Sequence, residues 1–311
     1  MAQNNLAQAR VVDPILTTVA RGYRSQKAKI ADLLFPHVSV GKAAGRILSF
    51  GPDDFKLIST VRGPGGATKR VSFGYSSGNF SLVEHRLEGS VDRSTQREAD
   101  GIPGIDLGAG AVRKVLNLMA LERENQAAVL ACNAANYAAS NKAALSGTSK
   151  WTDPASDPFV DVNTARETIR SQTGEKPNVL ALGPKPLTAL RNHPKIQARL
   201  STASDRPPAT IEQLQRLFEI EKIAEGEAVI HNGTSFVDVW GTNAVLAFAT
   251  PASMADMGSP NFGYTYQLQD GPTAEEAYYD ENTTTWYYPV EDAYQAVFTG
   301  PTAGFLFTGA A

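Results

Sequence analysis

Gly110 to Ala139 reads GAVRKVLNLMALERENQAAVLACNAANYAA. The stretch holds no proline and no glycine after its first residue. It is rich in Ala, Leu, Met, Glu, Arg and Gln, which lose little side-chain entropy in a helix. Val112, Val115, Leu116, Met119, Ala127, Leu130, Ala134 and Tyr137 recur at the spacing of one helix face. Leu118, Leu121, Val129 and Cys132 form a second, partial stripe, and charges gather in Glu122, Arg123 and Glu124. At about 1.5 Å per residue the predicted helix is roughly 45 Å long. Globular helices average about three turns, so this one reads as a strut on which neighbouring strands lean.

Upstream of the strut, Asp13-Pro14 opens a short helix as N-cap and first helical position, with Gly22 just past its end. A second short helix, Gln26 to Leu34, stops before Pro36. Residues 1–40 thus read as an arm rather than a packed domain. From Gly45 to Arg93 the pattern turns to strands: Arg46–Phe50, Phe55–Ile58, Arg70–Tyr75 and Phe80–Glu84. Between them lies a turn rich in Gly and Pro, Arg62-Gly63-Pro64-Gly65-Gly66-Ala67-Thr68-Lys69-Arg70, with cations on both sides. This is a long two-stranded excursion with a basic tip. An isolated hairpin is marginal in water, so it must lie on another part of the chain or on another subunit.

Downstream, Asp157-Pro158 starts a helix that Gly174 ends, and Pro177–Leu182 reads as a short buried strand. Pro184 and Pro186 open a helix ending near Asn192-His193-Pro194. Thr210 and Gln213 form a capping-box pattern, with Ile211, Leu214, Leu217 and Phe218 on one face. The remainder reads mostly as strand: a hairpin of Ala228–Ile230 and Phe236–Trp240 around Asn232-Gly233, then Asn243–Ala249, Phe262–Leu268, Thr284–Tyr288, Tyr294–Phe298 and Gly304–Phe307. The whole is an α+β pattern without internal repeats.

The chain has 311 residues, 42% hydrophobic and 20% charged, an ordinary globular profile with room for roughly two domains. Its longest apolar runs, such as Ala244–Ala249, are far too short to cross a bilayer. The polar start MAQNNLAQAR lacks a signal peptide's apolar core, so the chain is expected to remain in the cytosol where it is made. The single cysteine, Cys132, excludes an internal disulfide and a Cys-based structural metal site, and reads as a small core residue. The net charge of −3 hides an asymmetry: residues 1–46 carry +5, residues 251–311 carry −8, and the middle balances. Basic arm and acidic tail can attract each other within or between chains, or the arm is simply solvated. With a pI near 5.9 the chain lacks the basic face of a DNA binder.

Motif-like matches carry little chemistry. Gly74-Tyr75-Ser76-Ser77-Gly78 fits the nucleophile elbow of serine hydrolases, but the next residues, Asn79–Leu87, alternate like a strand where the elbow needs a helix. A turn between strands is the better reading. Gly63–Arg70 resembles a phosphate-binding loop but lacks its second glycine at Thr68, its Ser or Thr at Arg70, and a following helix. Gly108-Ala109-Gly110 resembles a dinucleotide fingerprint without the third glycine or a preceding βαβ unit, and reads as flexible lead-in to the strut. His37, His85, His193 and His231 lie far apart without ligand spacing and read as surface or loop residues. No catalytic residue, metal site or cofactor is expected.

The order of parts is basic arm, long hairpin with a Gly/Pro tip, strut, α/β insertion and returning sheet. It resembles the major capsid protein of tailed double-stranded-DNA phages, with the Hong Kong 97-type fold. Asp13–Thr17, Thr68–Tyr75, Pro177–Leu182 with Asn192-His193-Pro194, and Val239–Asn243 carry the likeness locally. The resemblance implies an N-terminal arm at 1–44, an extended loop at 45–100, and a peripheral domain at 101–177 with its spine helix at 110–139. It further implies an axial domain at 178–280, and C-terminal strands at 281–311 returning to the peripheral domain. It implies no enzyme, but a subunit that assembles as pentamers and hexamers into an icosahedral shell around the phage genome. Assembly would take place in the host cytoplasm, and the subunit would end in the virion. Contacts between subunits are expected from the loop tip (Arg62, Gly63, Pro64, Gly65, Gly66, Lys69, Arg70) and from the arm (Arg10, Arg21, Arg24, Lys27). Only about forty residues precede the loop, so a separate scaffolding protein is expected where some relatives carry a cleaved segment. A decoration protein, a portal and weak contact with packaged DNA are further implied partners; no membrane is. Lys56 and Lys69 lie where some relatives form an isopeptide bond, but nothing local shows the acidic, desolvated pocket that chemistry needs.

Three alternatives stand beside this reading. An encapsulin-like bacterial compartment of the same fold would co-purify with cargo protein and no nucleic acid. A hydrolase built on Ser76 would lose ester hydrolysis in Ser76→Ala. A two-domain carbohydrate- or tail-binding protein would keep its assembly state when Gly63–Thr68 is deleted.

Overall fold

The strut runs from Leu107 to Ala131. The structure, a computed structural model, describes residues 16–17, 20, 29–47, 57, 59–63, 68, 70, 78–99, 106–200, 207–251, 260–269 and 271–311. Asp106 is the helix's N-cap, its side chain accepting from the Ala109 N–H at 2.9 Å. Gly108 and Gly110 therefore belong to the first turn, not to a flexible lead-in. Gly108 is needed there because a Cβ would come within 2.8 Å of the Tyr288 ring. At 25 residues the helix is about 37 Å long. It stops short of the expected Ala139 because polar side chains take its last carbonyls. Asn136 Nδ2 donates to Leu130 O and Tyr137 Oη donates to Ala131 O, while Asn133 caps a 3₁₀ turn over Ala134–Asn136.

Val112, Val115, Leu116, Met119 and Ala127 are buried, as the first stripe predicts, whereas Leu118 and Val129 of the second stripe face outward. The helix leans on a six-stranded sheet organised by one strand, Thr285–Phe298. The sequence suggests two strands here, because Pro289, Glu291 and Asp292 interrupt the apolar pattern. The backbone instead runs through all three. Asp292 is buried, and its two oxygens accept from Gln267 Nε2 at 2.9 and 2.8 Å. This long strand pairs antiparallel with Val83–Asp92 over ten residue pairs, and with Gly263–Leu268, Thr273–Ala274 and Tyr278–Asp280. His37–Val40 then pairs in parallel with Gly263–Leu268.

The second sheet holds five strands, Lys142–Ala144, Gly304–Thr308, Ala244–Ala247, Val179–Leu182 and Lys222–Glu225, in that order, so segments before and after 178–280 join strands within it. Val179–Leu182 and Ala244–Ala247 are buried on both faces and read as continuous apolar runs. Helices Pro158–Thr173, Pro184–Asn192 and Ile211–Phe218 pack on it, as Trp151, Ile169, Leu187 and Phe218 show by sharing one core. Their ends follow the sequence: Asp157 as N-cap, Gly174 at φ 75° as C-cap, and a complete Thr210–Gln213 capping box. One helix was not foreseen. Pro194 halts the preceding helix but also starts Pro194–Leu200, as proline can at a first helical position. The C-terminal stretch serves both sheets, Thr285–Phe298 the first and Gly304–Thr308 the second.

The arm is more firmly packed than the sequence suggests. Ile30, Ala31, Leu34 and Phe35 of the helix Lys29–Leu34 and its exit are almost wholly buried, in one cluster with Ala127, Ala131, Trp240 and Phe262. Of the preceding predicted helix, Leu16, Thr17 and Ala20 are helical, and Asp13, Pro14 and Gly22 lie outside the described residues.

Candidate intersubunit surfaces

The predicted excursion begins on a short stem. Ala44–Ile47 pairs antiparallel with Gly78–Ser81, in register from Ala44↔Ser81 to Ile47↔Gly78. Phe80 stacks on Tyr266 with centroids 4.5 Å apart, and the Ser81 N–H donates to Gln295 Oε1 at 2.9 Å. These contacts fix the stem to the six-stranded sheet. Beyond it, Leu57 and Val61 are 102% and 83% exposed, outside any strand. Two large apolar side chains held in water cost free energy that burial elsewhere would recover.

Of the predicted loop-tip residues, Arg62, Gly63 and Arg70 are exposed and outside regular structure. Pro64, Gly65, Gly66 and Lys69 lie outside the described residues, as do Lys56 and the arm residues Arg10, Arg21, Arg24 and Lys27. The arm does meet the acidic part of its own chain. Thr17 Oγ1 donates to Ala274 O at 3.0 Å and accepts from the Ala274 N–H at 3.2 Å, beside Glu275 and Glu276. Ala20 is buried with Val112, Met119 and Val290. Glu275 itself pairs with Arg86 at 2.8 Å.

The residue that sequence reasoning missed is Glu124. In the sequence it is one of three clustered charges, Glu122, Arg123 and Glu124, yet it is 1% exposed. Its Oε2 accepts from the Ala31 N–H at 3.0 Å and its Oε1 from Trp240 Nε1 at 2.7 Å. One carboxylate thus joins the arm helix, the spine helix and the turn that precedes Ala244–Ala247. Burial pushes its carboxyl above the ordinary range, against the pull of both hydrogen bonds. The available signal was its place on the buried stripe, four residues after Ala120 and four before Ala128.

The four histidines do not assemble a site. His37 pairs with Asp32 at 3.0 Å, His85 stacks on Tyr294, and His231 sits in the exposed hairpin against Phe236. His193 is buried, contrary to expectation. Its Nδ1 accepts from the Lys195 N–H, so Nε2 carries the proton toward Asp153 O and Ser156 Oγ. An Nε2 that donates cannot take a proton from Ser156, so this pair braces a turn instead of activating a nucleophile. Ser76 lies outside the described residues. The segment after it, Gly78–Ser81, is a strand and not the helix an elbow requires. Cys132 is partly buried, and burial pushes its thiol up to about 11. Among the described residues no group of His, Cys, Asp or Glu could hold a metal ion, and no helix is long and apolar enough to cross a membrane.

A long spine helix against a sheet ordered by one C-terminal strand, a stemmed excursion and a second, five-stranded sheet packed by helices together define a shell protein of the Hong Kong 97-type fold. No protein-family model matches the chain. It is 31% identical over 309 residues to the major capsid protein of Burkholderia phage BcepMu, covering 98% of each chain. It is also 31% identical over 310 residues to that of Pseudomonas phage JBD67, covering 96% of this chain and 97% of that one. Among solved structures it matches a phage-related protein of Bordetella bronchiseptica RB50 at 42% identity and a TM-score of 0.82, over 97% and 99% of the two chains. The SrpI encapsulin of Synechococcus elongatus PCC 7942 shares the fold alone, at 11% identity and a TM-score of 0.56 over 99% and 96%. The chain belongs to the bacteriophage major capsid proteins. Its close relatives are phage coat proteins, so the compartment reading is not favoured over the capsid one.

Proposed function

We propose that copies of this chain associate head to tail as pentamers and hexamers, and that these close an icosahedral shell around a phage's double-stranded DNA. The observation that carries this reading is the stemmed excursion that holds Leu57 and Val61 in solvent. Such a device gains its burial from another subunit. In this reading residues 1–44 are the arm, 45–100 the extended loop, 101–177 the peripheral domain, 178–280 the axial domain and 281–311 the returning strands. The loop tip, with Arg62, Gly63, Pro64, Gly65, Gly66, Lys69 and Arg70, and the arm residues Arg10, Arg21, Arg24 and Lys27, meet neighbouring subunits. A separate scaffolding protein, a decoration protein and a portal are the further partners it calls for, with only weak contact to DNA and no chemistry performed. Assembly takes place in the host cytoplasm.

Sedimentation velocity with negative-stain imaging tests the core of it. Purified chain, alone or co-expressed with a candidate scaffold, is expected to give rings or closed shells. Deleting Gly63–Thr68 is expected to abolish them and leave a folded monomer. Monomer under every condition, or normal shells from the deleted chain, overturns the reading.

A further inference from the structure

Asn232-Gly233 is the one Asn-Gly pair in the sequence, and it turns the exposed hairpin of Val229–His231 and Phe236–Asp238. The Asn232 N–H donates to Ser235 O at 3.1 Å, which closes the turn. Three further hydrogen bonds converge on the atoms of one reaction. The Gly233 N–H donates to His231 Nδ1 at 3.2 Å, so the imidazole nitrogen that accepts it carries no proton. Asn232 Oδ1 accepts from the Thr234 N–H at 3.0 Å and from the Ser235 N–H at 2.9 Å. The imidazole is itself held, packed edge-on against its cross-strand partner Phe236 with ring centroids 5.0 Å apart. Gly233 stands at φ 94° and brings no side chain up to its amide nitrogen. Residues 231–235 are all exposed, so water reaches them.

We propose that this turn is a self-modification site, at which Asn232 loses its amide nitrogen with His231 as the base. A main-chain amide nitrogen is a poor nucleophile until its proton is drawn away, and a base hydrogen-bonded to that proton is placed to draw it. His231 Nδ1 takes the proton as Gly233 N bonds to Asn232 Cγ. The negative charge that develops on Oδ1 meets two N–H donors already aimed at it, as in an oxyanion hole. The Cγ–Nδ2 bond then breaks, the imidazolium returns the proton to Nδ2, and ammonia leaves behind a five-membered succinimide. Water adds to one of the two ring carbonyls and opens it. Addition at Cγ gives an aspartate side chain, and addition at the main-chain carbon gives an isoaspartyl linkage. No electron is gained or lost, and water is the only co-reactant. The event happens once per chain and is not turnover of a substrate. The turn Asn232–Ser235 is uncharged before it, and afterwards carries a carboxylate beside Phe236, which is 77% exposed. A charge there makes burial of the hairpin's apolar side chains more costly in older chains than in new ones.

The test incubates the full unassembled chain at neutral pH, native and unfolded in guanidinium chloride. Mass spectrometry follows the peptide that holds Asn232, and isoaspartyl methyltransferase labelling reports the altered linkage. An Asn-Gly pair without built-in help reacts faster when unfolded, because the free chain can bring the nitrogen to Cγ. Here the native chain is expected to react faster by about tenfold or more, since a positioned general base is worth about 10²–10⁴. His231→Gln can still accept a hydrogen bond but cannot take the proton. It should remove the native excess and leave the rate in guanidinium unchanged. Imidazole in the buffer should restore rate to native His231→Ala and add little to the unsubstituted chain. A native rate equal to or below the unfolded one overturns the proposal, as does a native rate that His231→Gln leaves untouched. The first comparison needs no variant, so it decides the matter even where a variant folds poorly.

Discussion

Replacing Glu124 with Gln keeps the shape of the side chain but changes what it offers. A carboxylate presents two accepting oxygens, one to Ala31 N–H and one to Trp240 Nε1. An amide presents one oxygen and one N–H₂, so one of the two buried donors must face another donor. Leaving a buried donor without an acceptor costs about 1–3 kcal/mol. Relief of the buried charge offsets part of this, which leaves about 1–2 kcal/mol at neutral pH. That corresponds to a roughly five- to thirtyfold rise in the open population. The assay is hydrogen exchange on residues 30–34 of the unassembled subunit, together with its urea midpoint. Faster exchange confined to the arm helix is expected if Ala31 N–H loses its acceptor, and a lowered midpoint if Trp240 does. Unchanged exchange and midpoint would refute the reasoning. The pH dependence supplies a second check with a definite sign. The folded-state value lies above the ordinary 4.5. Between the two values the folded chain holds a proton that the unfolded chain has released. The stability of the native chain, relative to Glu124→Gln, must therefore fall as pH rises through that window and level off above it.

Other outcomes rest on individual contacts. Gly263→Ala should lower stability by about 2–4 kcal/mol in thermal or urea denaturation, since a Cβ would come within 2.6 Å of the Phe35 ring and 2.7 Å of Val297 O. Cys132, its thiol pushed up to about 11 by burial, should react with a thiol reagent at pH 8 far more slowly in the native chain than in urea.

Local chemistry was legible in the sequence, and distant pairing was not. The helix Pro158–Thr173 is bounded by its own residues, Asp157 and Gly174, and Ile211–Phe218 by Thr210 and Gln213, so their ends could be read directly. The spine helix ends where Asn136 and Tyr137 fold back on its last carbonyls, which helix propensity does not register, since Ala134 and Ala135 favour continuing. The strand through Pro289 was masked by Glu291 and Asp292. Asp292 is tolerated in the sheet because Gln267, on the neighbouring strand, answers it. Glu124 was hidden for the same reason: its partners lie 93 and 116 residues away. For the surfaces, the Gly/Pro-rich turn with flanking cations was legible as an exposed stretch, and Arg62, Gly63 and Arg70 are exposed.

The pairing of Val83–Asp92 with Thr285–Tyr294 sets a timetable for synthesis. The root of the loop emerges early, but the strand on which it is mounted comes about two hundred residues later. At about 5–20 residues per second a ribosome needs roughly 10–40 s to close that gap. Throughout this interval the root of the loop has no sheet to hold it, so the exposed Leu57 and Val61 ride on a base that is not yet built. Under the proposed clasp, strand order thereby ties competence for association to completion of the polypeptide.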